Sequence, residues 1–219
     1  MPETNLLDTY PRIKRNVAER AQWKSRTPEN RALAKQFGLE YFDGTREQGY
    51  GGYRYDGRWR PVAERMIAHY SLTPASRILD IGCAKGFLLH EFRALLPGAQ
   101  VVGIDVSAYA LEHVMEDIKP FVRHANATDL PFADRAFDLA ISINVVHNLP
   151  DAPCRRAIRE MQRVARHGYL QVDAFRTDEE REKLEQWQLT AELIYSTEQW
   201  QRLFAEEGYT GEYYWTITE

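Results

Sequence analysis

A glycine-containing turn followed by an aspartate is the pattern in this sequence that points most clearly to chemistry. The segment LDIGCAKG contains Gly82 and Gly86, and Asp105 ends a second apolar run, VVGID. Glycine lets a backbone turn tightly and approach a ligand, while an acid at this distance can accept both hydroxyls of a ribose. Together these residues predict a site for a cofactor that contains adenosine.

The residues of the turn discriminate between two kinds of adenosine cofactor. A dinucleotide site has the spacing G-x-G-x-x-G, which the segment GCAKG at 82–86 does not fit. Asp80, two residues before the first glycine, would repel a pyrophosphate but could pair with an ammonium group. S-adenosylmethionine has an ammonium group and no phosphate, so it is favoured. An oxidoreductase remains an alternative that rests only on the glycine turn and Asp105.

The elements that must position these residues alternate between short apolar runs and helical patterns. The apolar runs are RILDIG, VVGIDV, FDLAISIN and YLQVDAF, and they are separated by segments such as GFLLHEFRALL and DAPCRRAIREMQRVARHG. Strands that are apolar on both faces and alternate with helices predict a parallel sheet covered by helices. Ligands bind beyond the carboxyl ends of such strands, where the turn and Asp105 fall.

These motifs resemble those of the class I S-adenosylmethionine-dependent methyltransferases. RILDIGCAKG is similar to the first motif of that family, VVGIDVS to the second, and ANATDLPFADRAFDLAISINVVHNL to the third and fourth. The resemblance implies an α/β fold with a doubly wound, mostly parallel Rossmann-like sheet, helices on both faces and an antiparallel C-terminal edge strand. It also implies an N-terminal helical arm and lid at 1–60, before an S-adenosylmethionine-binding methyltransferase domain at 61–219.

The resemblance further implies which residues hold the cofactor. Asp80 and the backbone at Gly82 would hold its methionine part, and Asp105 its ribose. The full implied set is Asp80, Gly82, Cys83, Gly86, Asp105, Val106, Asn126, Ala127 and Asn144. The chain departs from the family pattern at Asn126, where aspartate is usual, and at Ala84, where glycine is commoner. An amide oxygen can still accept from the adenine amino group, so Asn126 stays in the set.

The segment REQGYGGYRYDGRWRP at 46–61 interleaves glycine, aromatic residues and arginine ahead of the predicted sheet. Long aromatic loops on such a scaffold are commonly lids, so we predict a substrate lid in preference to an inert surface loop. Its aromatic faces would suit a cationic methyl donor. The expected lid residues are Tyr50, Tyr53, Tyr55, Arg58 and Arg176. The five arginines Arg46, Arg54, Arg58, Arg60 and Arg176 have two possible roles. If they converge beside the acceptor, they indicate an anionic acceptor; if they do not, they form ordinary surface ion pairs.

The candidate catalytic residues are His147, Asp173 and Tyr50. His147 follows the predicted fourth strand, where an imidazole could take a proton from a hydroxyl acceptor or could hydrogen-bond a loop backbone. Asp173 leaves the fifth strand and is a second candidate base, or a cap for the following loop. Asp173 and Asn144 alone are too few ligands for a metal site, so no metal is expected.

Composition limits the partners. The chain has 219 residues, 44% hydrophobic content and a net charge of −4 without a long basic block, which argues against nucleic acid and anionic membranes. We expect one domain with an N-terminal extension. A reducing cytoplasm is expected as its setting, since the spacing of the two cysteines indicates neither a metal site nor a disulfide framework.

The arm resembles that of a group of bacterial small-molecule methyltransferases. This likeness implies an acceptor such as a hydroxyl of a sugar or another polar, possibly anionic, metabolite; a small amine acceptor and a non-catalytic binding protein are the alternatives.

Overall fold

The computed structural model describes residues 1–11 and 26–218, so the predicted N-terminal helical arm at 1–60 lies partly outside the described residues. The strands are β1 (Arg77–Ile81), β2 (Gln100–Asp105), β3 (Val122–His124), β4 (Phe137–Ile143), β5 (Ala165–Ala174) and β6 (Glu212–Ile217). The α-helices are α1 (Pro28–Ala34), α2 (Leu39–Phe42), α3 (Arg60–His69), α4 (Phe87–Leu95), α5 (Ala108–Glu112), α6 (Asp151–Val164), α7 (Asp178–Trp187) and α8 (Thr197–Glu206).

The six strands form one sheet in the order β3-β2-β1-β4-β5-β6. Every described strand pair is parallel, and the predicted Rossmann-like α/β fold is confirmed. The predicted antiparallel edge strand is wrong, because β6 pairs in parallel with β5 from Tyr169↔Glu212 to Ala174↔Ile217. Helix α8 lies between these two strands in the chain, and a helical crossover returns a strand in the same direction.

Helices cover both faces of the sheet. On one face, β4 and β5 bury apolar residues against α6 and α8, with Ile158, Trp200 and Phe204 in the interior. On the other face, α3 and α4 pack over β1 and β4, and Leu6 from the N-terminal segment joins them. The Leu6 N–H donates to Tyr169 Oη at 3.2 Å, which fastens this segment over the sheet.

Local capping follows the sequence closely. Thr27 caps α1, Ser107 caps α5, and Ser196 with Gln199 forms a capping box at α8. The first of these helices ends at Ala34, and Gly38 is the N-cap of α2. Within the described ranges, no helix has both the length and the apolar character needed to cross a membrane.

Candidate active site

The glycine turn after β1 adopts left-handed backbone conformations at alternate positions. The φ angles are 80° at Gly82, 49° at Ala84 and 76° at Gly86. A Cβ atom at Gly82 would overlap the side chain of Val145, so only glycine fits there. Ala84 adopts its left-handed conformation at some cost, and its N–H donates to Asp105 Oδ2 at 2.8 Å. The turn therefore tolerates alanine at its centre.

Asp105 joins the loops that follow β1 and β2. In addition to the Ala84 N–H, its carboxylate accepts the Ser107 N–H at 2.8 Å. Burial raises the pKa of Asp105, while these backbone hydrogen bonds work in the opposite direction. The Val106 backbone also hydrogen-bonds this carboxylate. A carboxylate has about four acceptor positions, so it keeps some acceptor capacity for a ribose hydroxyl.

Asp80 is a buried carboxylate at the carboxyl end of β1. Its residue exposure is 6%, and no side-chain hydrogen bond to it is found in the described part of the chain. Burial, with the nearby charge of Asp105, raises the pKa of Asp80 to about 7. A buried acid of this kind gains most from a cationic partner. Its surroundings therefore fit the ammonium group of S-adenosylmethionine.

A cavity that opens to solvent lies at the carboxyl ends of β1, β2 and β4, and its volume is about 730 Å³ when the solvent space at its mouth is included. Of the predicted cofactor set, the structure brings to its wall Gly82, Asp105, Val106, Asn126, Ala127 and Asn144. Val106 is 46% exposed, which leaves an apolar surface for a flat ring. The Cys83 side chain is not part of this wall, because it is buried in the core beside Gly103. Gly86 is the N-cap of α4.

The N-terminal arm supplies an aromatic wall to the same cavity. Phe37, Tyr41, Phe42 and Tyr50 line it. The Tyr50 N–H donates to the Tyr41 carbonyl at 2.8 Å, and a Cβ at Gly49 would overlap that carbonyl. Glycine there lets the arm double back on itself. Sequence reasoning identified Tyr50 but missed the other three residues of this aromatic wall, which lie in the segment FGLEYF.

Tyr41 lies between the cofactor side of the cavity and the end of β5. Burial raises its pKa, the hydroxyls of Tyr50 and Thr190 work against this, and the charges of Asp105 and Asp173 raise it further. The Tyr41 hydroxyl is therefore affected by both carboxylates, one on each side of the site. The arm thus reaches from the donor cavity to the loop after α7.

Two of the predicted lid tyrosines have different surroundings. Tyr53 stacks on Phe87 and packs against Tyr50, with ring centroids 4.8 and 4.5 Å apart. Tyr55 does not line the cavity: it is 41% exposed, and its hydroxyl donates to Glu91 Oε1 at 2.6 Å. Its inclusion in the lid is wrong, because the buried Glu91 carboxylate holds its hydroxyl at α4.

Arg58 and Arg176 do not line the cavity either. Arg58 forms an ion pair with Asp56, and the exposed Arg176 lies 4.0 Å from Glu3. Both were expected in the lid, and the nearby carboxylates account for their positions.

The remaining arginines show the same behaviour. Arg60 pairs with Glu64 at 3.3 Å and Glu91 at 3.6 Å, while Arg46 and Arg54 are exposed. None of the arginines lines the cavity described here. The argument for an anionic acceptor loses its basis, because it required these residues to converge.

His147 and Asp173 meet in a buried polar cluster at the ends of β4 and β5. The Asp173 N–H donates to His147 Nδ1 at 3.4 Å, and the Asp173 carboxylate accepts from the Gln188 amide. The His147 carbonyl accepts the N–H groups of Glu192 and Leu193, both at 3.0 Å. His147 thus hydrogen-bonds the loop backbone, one of the two roles that the sequence left open, and the charge of Asp173 acts on Tyr41.

Comparison with known proteins agrees with this geometry. Residues 78–168 match a family model described as a methyltransferase domain. A malonyl-[acyl-carrier protein] O-methyltransferase of Legionella pneumophila is 41% identical over 76 residues, which cover 32% of this chain and 26% of the relative. A demethylmenaquinone methyltransferase of Roseiflexus is 34% identical over 117 residues, covering 52% of this chain and 47% of the relative.

The solved structure of the YcgJ protein from Bacillus subtilis has the same fold, with a TM-score of 0.50 at 22% identity over 66% of each chain. The chain spans about half or less of the length of the curated relatives it matches. The glycine turn, the two aspartates, the parallel sheet and the matched segment at 78–168 agree with a class I S-adenosylmethionine-dependent methyltransferase domain.

Proposed function

We propose that this protein transfers a methyl group from S-adenosylmethionine to a small-molecule acceptor. The observation that carries the proposal is a pair of buried carboxylates beside a cavity walled by aromatic rings: Asp105 lines the cavity, and Asp80 lies near Asp105. Asp80 fits the ammonium of the donor, Asp105 its ribose, and Val106 with Asn126 its adenine. Aromatic faces and negative charge favour a ligand with a cationic centre.

The donor, when bound, supplies an electrophilic methyl group, so the protein must mainly position the acceptor and exclude water. Three contacts join the arm to the segment after β5. They are Arg26 Nε to the Trp187 carbonyl at 2.9 Å, Arg31 to the Glu185 carbonyl at 2.9 Å, and Lys35 to Glu192 at 2.6 Å. These contacts support the proposed division into an arm and lid at 1–60 and a catalytic domain at 61–219, with residues 26–60 forming the described part of the lid and Leu6 packed on the sheet.

The charge of the cavity guides the choice of acceptor. Among the described residues that line it, none is a lysine or arginine, while Asp105 is on the wall and Asp80 and Asp173 lie nearby. A buried anion without a cationic partner is strongly unfavourable. We therefore propose an uncharged acceptor, first a hydroxyl of a sugar or of another polar metabolite. The carboxylates also favour the second candidate, a small amine.

The names of the relatives leave this choice open, since they include enzymes for malonyl-[acyl-carrier protein], demethylmenaquinone and a tRNA uridine. For a hydroxyl acceptor we propose Asp173 as the base, with Tyr50 walling the donor. His147 Nδ1 accepts a hydrogen bond from the Asp173 backbone N–H, so His147 would help to hold the backbone of the proposed base in place. Both cysteines are free and buried, which supports a reducing cytoplasm as the setting.

Transfer of a tritiated methyl group from S-adenosylmethionine into fractionated small metabolites tests the proposal. We expect label in neutral or cationic fractions, and loss of that label with Asp105→Ala. Label only in macromolecules, or only in anionic metabolites, would contradict the acceptor proposal. Donor binding without label in any fraction would support a non-catalytic role.

A further inference from the structure

Asp43, at the end of α2, connects the arm to the glycine turn. Its Oδ2 atom accepts hydrogen bonds from Lys85 Nζ at 2.6 Å and from Tyr109 Oη at 2.7 Å. Its Oδ1 atom accepts a hydrogen bond from the Tyr53 N–H at 3.1 Å. One carboxylate thus binds the turn after β1, the helix after β2, and the arm itself. Phe42, its neighbour in the chain, is part of the aromatic wall of the cavity.

Lys85 is unusual because it is almost fully buried. Its residue exposure is 7%, and it occupies the turn between Ala84 and Gly86. Lysine is rarely buried unless its charge is paired, and Asp43 is the acid that pairs with it. The pKa of Asp43 reflects this: burial works to raise it, but hydrogen bonds from Lys85 and Tyr109 lower it overall.

A second contact joins the arm to the loop that follows β2. Ser107 Oγ donates to the Phe37 carbonyl at 2.5 Å, and Ser107 directly follows Val106 in the donor cavity. The arm is therefore fastened to both loops that carry donor-binding residues. A donor in the cavity would lie against Phe37, Tyr41, Phe42 and Tyr50, so movement of the arm would widen the path by which the donor leaves.

We propose that Asp43 is a positioning residue for the methyl donor. Its ion pair with Lys85 holds the aromatic wall against the cavity and limits the rate at which the demethylated donor leaves. The proposal rests on the proposed function, because it takes the ligand to be S-adenosylmethionine or its product. Opening the arm separates Lys85 from its acid, and an unpaired buried charge is costly.

Dissociation of S-adenosylhomocysteine, followed by stopped-flow fluorescence with excess competitor, tests this directly in the full chain. We expect Asp43→Asn and Lys85→Met each to raise the dissociation rate by up to about tenfold, because each removes one partner of a charge pair in which the Lys85 side chain is buried. The double variant should add little to either single variant, because both break one interaction. Asp43→Glu should restore part of the slow dissociation.

The matched control is Lys119→Met, which removes an exposed lysine paired with Glu116 at 2.5 Å. Its dissociation rate should equal that of the wild type. Urea unfolding of each variant identifies a merely structural role: lowered stability with unchanged dissociation would overturn the proposal. If the wild-type protein does not bind S-adenosylhomocysteine at all, the proposed function fails as well. Binding by the wild type with equal rates in all variants refutes this proposal alone.

Discussion

Asp80 allows a quantitative prediction of how donor binding depends on pH. In the free protein its pKa is raised to about 7, so about one tenth of the molecules carry the charge at about pH 6 and about three quarters at about pH 7.5. The ammonium of the ligand pairs with the charged form. Affinity for S-adenosylhomocysteine should therefore rise several-fold over this interval, or on the order of 1 kcal/mol.

Isothermal titration calorimetry measures this change and the proton that accompanies it. At about pH 6, binding should release about nine tenths of a proton, so the observed heat should vary with the ionisation enthalpy of the buffer. Asp80→Asn removes the titrating group and should bind weakly, with little pH dependence. A wild-type affinity that is flat with pH, or an equal slope in Asp80→Asn, would refute the assignment of the ammonium to Asp80.

The same group predicts the pH dependence of folding in the ligand-free protein. The pKa of Asp80 is higher in the folded state than its ordinary value of 3.8, so the folded state holds the proton more tightly. This stabilises the fold fully below about pH 4, and the contribution is lost as pH rises through about 7. Urea unfolding at a series of pH values should show this loss in the wild type, and Asp80→Asn should lack it.

Three further predictions concern the cavity. Asp105→Ala should weaken S-adenosylhomocysteine binding by about 2–4 kcal/mol, since two charge-assisted hydrogen bonds are lost, and wild-type affinity by calorimetry would contradict this. Gly82→Ala should lower the free energy of unfolding in urea more than Gly57→Ala. Both positions have a positive φ, but only a Cβ atom at Gly82 would overlap the Val145 side chain. Equal destabilisation by the two substitutions would argue against that overlap. Limited proteolysis within residues 46–60 should slow when S-adenosylhomocysteine is added, and equal cutting in both states would argue against a lid.

The parts of the site that the sequence predicted are those formed within one strand and its following loop. Gly82, Asp105 and Val106 reach the cavity because each lies at the carboxyl end of a parallel strand. Alternation of strand and helix was enough to predict the sheet. Cys83 was also predicted for the cofactor set, but its side chain enters the core, because adjacent residues of a turn point in opposite directions.

The arm could not be predicted to the same degree, because its contacts join residues far apart in the chain. Asp43 meets Lys85, and Tyr41 lies beside Thr190, although neither pair is visible as a motif. The arginines were overvalued for a related reason: an arginine's partner is set by the nearest carboxylate in space. The orientation of β6 depended on the α8 crossover, whereas the family pattern implied a strand in the opposite direction.

The central claim is that the cavity binds S-adenosylmethionine, and calorimetric titration of the wild-type protein with S-adenosylmethionine and with NAD tests it most directly. We expect saturable one-to-one binding of S-adenosylmethionine and no binding of NAD, because the turn lacks the dinucleotide spacing and Asp80 would repel a pyrophosphate. NAD binding that matches or exceeds that of S-adenosylmethionine, or the absence of any heat with S-adenosylmethionine, would contradict the claim.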